Sequence, residues 1–157
     1  MTYEICTAHT KEAIAISKLL YESLQNGIDS NFKIDKKQLV DHVAITILQH
    51  DGFALVLKHD GDIVGCFMAE LTRHRYAQGY IATELGVYIH PDHRGHNHFQ
   101  EMLDQFISWS SKKPDVLMTT FSIGQLNATT PWVRAQLKKR NFIKGDESYY
   151  LLRDTNV

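Results

Sequence analysis

The sequence is short of the features that mark several broad classes of protein. Of its 157 residues only two are cysteines, Cys6 and Cys66, far apart and with no secretory leader before them. A disulfide framework is therefore not expected, and reduced thiols in the cytoplasm are. Seventeen Lys and Arg nearly cancel eighteen Asp and Glu, for a net charge of -1. That balance gives no electrostatic footprint for nucleic acid as the main partner, although a small polyanion can still bind locally. The longest apolar runs, such as Ile63–Ala69, fall far short of the roughly 20 residues that span a bilayer, so no membrane association is expected. What remains is 43% hydrophobic and 22% charged, the make-up of one globular domain over residues 1–157 with a core of ordinary size.

Apolar spacing gives the order of elements. A short strand near Thr2–Cys6 leads to a helix with Thr10 as its expected cap and Ala13, Ile16, Leu19, Leu20 and Leu24 in register. Asn26-Gly27 ends it, and a second helix begins at Asp35 with Leu39, Val43, Ile47 and Leu48 on its apolar face. Phe53–Lys58 and Asp62–Thr72, joined by His59-Asp60-Gly61, read as an antiparallel hairpin. The next strand, Tyr80–Ile89, alternates so that Leu85, Val87 and Ile89 share one face and Glu84, Gly86 and Tyr88 the other.

After Arg94-Gly95, Phe99, Met102, Leu103 and Phe106 keep the spacing of an amphipathic helix that ends near Lys112-Lys113-Pro114. A strand over Val116–Phe121, a helix with Pro131 in its first turn that closes at Lys138–Asn141, and a last strand over Ser148–Arg153 complete the chain. This order predicts a mixed-sheet α/β sandwich, three layers with helices flanking a mostly antiparallel sheet.

The segment from Glu84 to Phe99 carries the most chemistry. A strand, a proline turn, Arg94-Gly95 and a helix start together present unpaired backbone N–H groups and the positive end of a helix dipole, an arrangement suited to a pyrophosphate. The element order, with Val87-Tyr-Ile89-His-Pro91-Asp-His-Arg94-Gly95, resembles the GNAT superfamily of acyl-CoA-dependent N-acyltransferases over nearly the whole chain. In that family an L-x-V-x-P strand leads to an [RQ]-x-x-G-x-[GA] loop that holds the CoA pyrophosphate, while the strand pairs with the pantetheine arm. Val87, Ile89 and Pro91 match the strand, and Arg94 and Gly95 match the start of the loop. Asn97 and Phe99 depart from it. Asn tolerates a left-handed backbone and so preserves the turn, and Phe99 also fits the buried stripe of the helix, where it leaves the amides open.

The resemblance implies acetyl-CoA as donor, an amine as acceptor, and cofactor contacts from Val87, Tyr88, Ile89, Arg94, Gly95, His96, Asn97, His98, Phe99 and Asn127. It further implies Glu84 as the base that deprotonates the acceptor through a water, with a structural salt bridge as the plainer role. The family's usual thiolate acid, a tyrosine on the last helix, falls at Leu137; Tyr88, Tyr149, Tyr150 or solvent take its place, and Asn127 alternatively caps a helix. His90, His93, His96 and His98 lie on a turn and a helix start without Cys or acidic partners at motif spacing. A metal site is not expected of them; His93 and His96 read as replacing the loop's usual polar or basic residues beside the phosphates, or as solvated. Cys66, in mid-strand, reads as a core residue, so transfer is expected to be direct. The competing class is a degenerate GNAT-fold domain without catalysis that serves as a binding module, suggested by Phe99 and Leu137. Dimers are common among such proteins, and a homodimer stays open.

Overall fold

Phe53, Leu55 and Leu57 alternate with Ala54 and Val56 along one strand, and all five are buried. A strand buried on both faces belongs to the interior of a sheet covered by helices above and below. In the computed structural model, which describes residues 1–123, 130–145 and 151, this strand is β2 (Gly52–His59). It lies between β1 (Tyr3–Thr7) and β3 (Asp62–Arg73), followed by β4 (Tyr80–Ile89) and β5 (Val116–Thr120). β1 to β4 are antiparallel, and β5 is parallel to β4. The sheet is mixed and mostly antiparallel, as its sequence order implies. Asp60 and Gly61, at φ of 50° and 95°, form the tight turn between β2 and β3.

The two faces bury separate apolar cores. On one, Ile16, Leu19 and Leu20 of α1 (Ala13–Leu24) and Val43 of α2 (Lys36–Leu48) pack on Ala54, Val56, Cys66 and Met68. On the other, Phe99, Met102, Leu103 and Phe106 of α3 (His98–Ser111) and Leu137 of α4 (Thr130–Lys139) meet Phe53, Leu55, Phe67, Ala69 and Ala82. The predicted α3 stripe is buried at every position. Each such side chain contributes roughly 1.5–3 kcal/mol by leaving water. Arg140 fastens α4 to α3 by a two-pronged contact with Asp104, Nε to Oδ1 at 2.5 Å and Nη2 to Oδ2 at 3.1 Å.

Three expectations are corrected. Thr10 does not cap α1: a 3₁₀ turn over Thr10–Glu12 precedes it, and the Glu12 carboxylate accepts from the His9 N–H at 2.8 Å. Leu48, the last residue of α2, is 73% exposed, because five residues beyond Val43 it lies off the face that Val43 and Thr46 bury. Asp35 does cap α2, accepting from the Gln38 N–H at 3.0 Å. The third correction concerns β4, whose register against β3 slips between Met68 and Ala69. Glu84 faces Ala69 and Gly86 faces Met68, so Leu85 is an extra residue, a β-bulge. The expected alternation is thereby broken: Leu85 and Tyr88 pack on the α1 side, Val87 and Ile89 on the α3 side. The expected last strand over Ser148–Arg153 lies outside the described residues.

Candidate active site

β4 and β5 run together only from Tyr80 opposite Val116 to Thr83 opposite Thr120. Beyond Thr83 the bulge bends β4 away, and among the described residues its outer edge from Glu84 to Ile89 has no strand partner. Glu84 stands at the apex of this gap. Its carboxylate accepts from the Ser122 N–H at 3.4 Å, just past the end of β5. Burial pushes the carboxyl up to about 7, against the opposing pull of that hydrogen bond. A carboxyl held near neutrality ionises and accepts protons in the physiological range.

Gly86 comes directly after the bulge. A Cβ there would lie 2.9 Å from Leu20 Cδ2, so α1 packs closely over the bent strand at this point. Tyr88 is on the α1 side, and its hydroxyl donates to Glu22 Oε2 of α1 at 3.3 Å. Burial, then the Glu22 charge, raises its phenol above the ordinary range, partly offset by Arg94. Strict alternation puts Tyr88 and Glu84 on one face; the bulge turns them apart.

At the far end of β4 the chain reverses through His90 and a 3₁₀ turn over Pro91–His93. The Arg94 side chain folds back over this corner. Its Nε donates to the Ile89 carbonyl at 2.7 Å, and its guanidinium lies 5.5 Å from the centre of the Tyr88 ring. The His93 and Arg94 N–H groups are spent within the turn, on the carbonyls of His90 and Pro91. From Gly95 onward they are not. Gly95 adopts φ of 92°, a left-handed conformation that side chains resist, and swings the chain into α3. Asn97 precedes the helix at φ of -80°, so the left-handed backbone expected for it is not used.

The Asn97 carboxamide makes no capping bond and instead accepts from the Gln100 side chain at 3.4 Å. The first intrahelical bond runs from the Glu101 N–H to the Asn97 carbonyl. This leaves the first-turn amides of His98, Phe99 and Gln100 without a protein partner among the described residues, at the positive end of a 14-residue helix. Phe99 does not obstruct them. Its ring turns into the core against Phe121 at 6.0 Å and Trp132 at 5.3 Å, and the residue is 8% exposed.

Two elements absent from the motif reach the same corner. Tyr3 of β1 sends its hydroxyl to His93 Nδ1 at 3.1 Å, and its ring lies 4.5 Å from that of His98 and 5.2 Å from that of His96. His59, at the end of β2, lies 4.9 Å from His93. His98 is held below the ordinary imidazole range, by burial first, with Glu101 opposing and His96 reinforcing. Nothing local in the sequence announces Tyr3 or His59; strand pairing brings them in. Among the described residues no three His, Cys, Asp or Glu side chains converge as a metal site does.

Leu137, at the position where the family places an acid, is 7% exposed and part of the core. Cys66 is fully buried, which pushes its thiol up to about 12 and leaves it unreactive. A cavity of about 570 Å³ lies at the opposite end of β4 from Arg94, lined by residues that include Arg73, His74, Gly79 and Asp115. Among the described residues no helix is long and apolar enough to cross a membrane. Asn127 lies outside the described residues, as do Tyr149 and Tyr150.

Among the described residues β4 and β5 run parallel for a short stretch and then part, with a bare helix N-terminus at the mouth of the gap. The signature of the acetyltransferase (GNAT) family matches residues 17–125, and the chain belongs to that family. Solved structures share its fold. A possible acetyltransferase from Clostridium difficile 630 is 16% identical, with 98% of each chain covered and a TM-score of 0.72. A predicted acetyltransferase from Clostridium acetobutylicum, solved with acetyl-CoA, is 14% identical over 96% of each chain, with a TM-score of 0.75. A ribosomal-protein-alanine N-acetyltransferase from Brucella melitensis biovar Abortus 2308 is 17% identical over 98% of this chain and 99% of its own, with a TM-score of 0.68. A search of curated proteins by sequence found no match.

Proposed function

We propose that this protein is an N-acetyltransferase that passes the acetyl group of acetyl-CoA directly to a primary amine, on a small molecule or a protein. The observation that carries the reading is one line of features: free amides at the start of α3, an unpaired edge of β4, and the Glu84 carboxyl at the closed end of the gap. The pyrophosphate lies on the Gly95–Gln100 amides, with Arg94 at the rim. The pantetheine arm, whose own amides want partners, takes the open edge of β4 along Val87, Tyr88 and Ile89. A structural relative solved with acetyl-CoA supports the choice of ligand.

In this reading the acceptor enters as an ammonium and gives its proton, through a water, to Glu84, whose raised carboxyl is matched to that task. The free amine nitrogen attacks the thioester carbonyl carbon, and β4 N–H groups hold the oxyanion. As the tetrahedral intermediate collapses the C–S bond breaks, the nitrogen gives its second proton to solvent so that a neutral amide forms, and CoA leaves as a thiolate that takes a proton from solvent. Tyr88, bonded to Glu22 on the other face, holds α1 to the strand rather than serving that thiolate. The primary test is calorimetric titration with acetyl-CoA and with free CoA, then an amine screen read by thiol release. Micromolar binding and amine-dependent release support the reading. No binding at millimolar ligand overturns it in favour of a GNAT-fold domain without catalysis.

A further inference from the structure

The corner beside the α3 amides is unusual in its cations. Arg94 is the one permanently charged side chain in the turn, and it is engaged with the Ile89 carbonyl and the Tyr88 ring. What surrounds the amides instead is imidazole. His93 and His96 precede α3, His98 opens it, and His59 arrives from the end of β2, with Tyr3 in contact with all four rings. Spacings among these rings run from 4.5 Å for Tyr3–His98 to 5.2 Å for His96–His98 and 6.0 Å for Tyr3–His93. Nε2 of His59 and of His98 are buried and have no hydrogen-bond partner. Nitrogens so placed have spare hydrogen-bonding capacity, with only Asp60 Oδ2 near His59 Nε2, at 3.6 Å.

We infer that Tyr3, His59, His93, His96 and His98 form a proton-dependent phosphate site continuous with the α3 amides, so that a nucleotide pyrophosphate binds together with a proton. This rests on the reading of the cradle as the CoA pyrophosphate site. The physical basis is a shared field. A pyrophosphate laid over the amides supplies negative charge beside the rings and favours a proton on the cluster. The neighbouring charges are few. Asp60 lies 3.6 Å from His59 Nε2, Asp92 lies 3.6 Å from His90 Nδ1, and Glu101 acts on His98 from the next turn of α3. Arg94 is the nearby cation. None of these carboxylates is placed as a ligand for an anion.

Because the protonated state favours binding, affinity is strongest at low pH and is lost as pH rises through the range in which imidazoles titrate. The ligand for the test is dephospho-CoA, which keeps the pyrophosphate and lacks the phosphate monoester that itself titrates near neutrality. Isothermal titration from pH 6 to pH 8, at fixed ionic strength and in two buffers of different ionisation enthalpy, reads affinity and proton uptake together. The expected result is about a fivefold to tenfold loss of affinity across that interval, with net proton uptake at neutrality. In His93→Gln/His96→Gln both effects should shrink to near nothing, whereas His50→Gln, on the exposed loop before β2, should retain them. Tight binding that is flat with pH, or a slope that survives the double variant, overturns the inference and leaves the CoA reading standing. Absence of binding by CoA and dephospho-CoA at every pH overturns both. The buffer comparison on the unaltered protein needs no variant to fold.

Discussion

Replacing Glu84 by Gln separates the electrostatics of the gap from its shape. Gln keeps the volume and an oxygen that still accepts from the Ser122 N–H, and it removes only the ionisable proton. Glu84 is carried from an ordinary 4.5 to about 7, mainly by burial. The sign comes from linkage: with the folded value raised, the protonated carboxyl favours the folded state below the unfolded value, and this contribution is lost as pH rises through the folded one. The full shift corresponds to about 3 kcal/mol, an upper figure for a side chain that is half-buried. The wild-type protein should therefore lose stability relative to Glu84→Gln between about pH 4.5 and pH 7, and no more above it. For a chain of this size that is a Tm advantage for the variant of about 5–10 °C at pH 8, shrinking toward zero at pH 4.5. Thermal melts of both proteins across this range, monitored by far-UV circular dichroism, read it directly. A Tm difference that stays constant with pH would refute a buried, raised carboxyl at position 84. Turnover should fall at least a hundredfold with CoA affinity nearly unchanged, the general-base contribution being on the order of 10²–10⁴.

The remaining predictions address the cradle and the core. Arg94→Ala should weaken CoA binding about tenfold by calorimetry with the far-UV spectrum unchanged, since the side chain is exposed; unaltered affinity would remove Arg94 from the site. Gly95→Ala should cost about 1–2 kcal/mol in urea unfolding from the φ of 92° alone, because an added Cβ meets nothing within 4 Å. A cost near zero would mean that the turn relaxes. Phe106→Ala should cost about 3–5 kcal/mol, because the ring is fully buried between Phe53 and Phe67; a cost below about 1.5 kcal/mol would contradict its placement at the centre of the core.

Much of this arrangement is legible in the sequence, and the exceptions share a physical origin. The α3 stripe arises from a period of 3.6 that nothing interrupts, and the β2–β3 hairpin from two apolar runs around the Asp60-Gly61 turn, although its register slips between Leu57 and Lys58. The faces of β4 do not, because one extra residue at Leu85 transfers the rest of the strand to the other side, and alternation has no memory across a bulge. Gly86, a lone glycine within a strand, is the available warning. At the site, the motif marks Glu84, Arg94 and Gly95. It also suggests a left-handed Asn97, yet Gly95 alone completes the reversal and Asn97 enters the helix with an ordinary negative φ. Tyr3 and His59 are invisible locally, since 90 residues separate Tyr3 from His93 and only the sheet brings them together.

The parting of β4 from β5 also leaves an unpaired rim along β4 among the described residues. On an antiparallel strand alternate amides point to opposite neighbours, so about half of those between Glu84 and Ile89 bond to β3 and the rest face the gap. Those facing the gap should exchange their hydrogens with solvent on the timescale of a loop although they sit in a strand, and the bare row is also a template on which another chain can pair. Arg94 shields the last carbonyl of that row with a cation. A ligand lying along the gap converts that rim into an ordinary paired strand, so occupancy should register as a block of slowed amide exchange confined to alternate residues of β4.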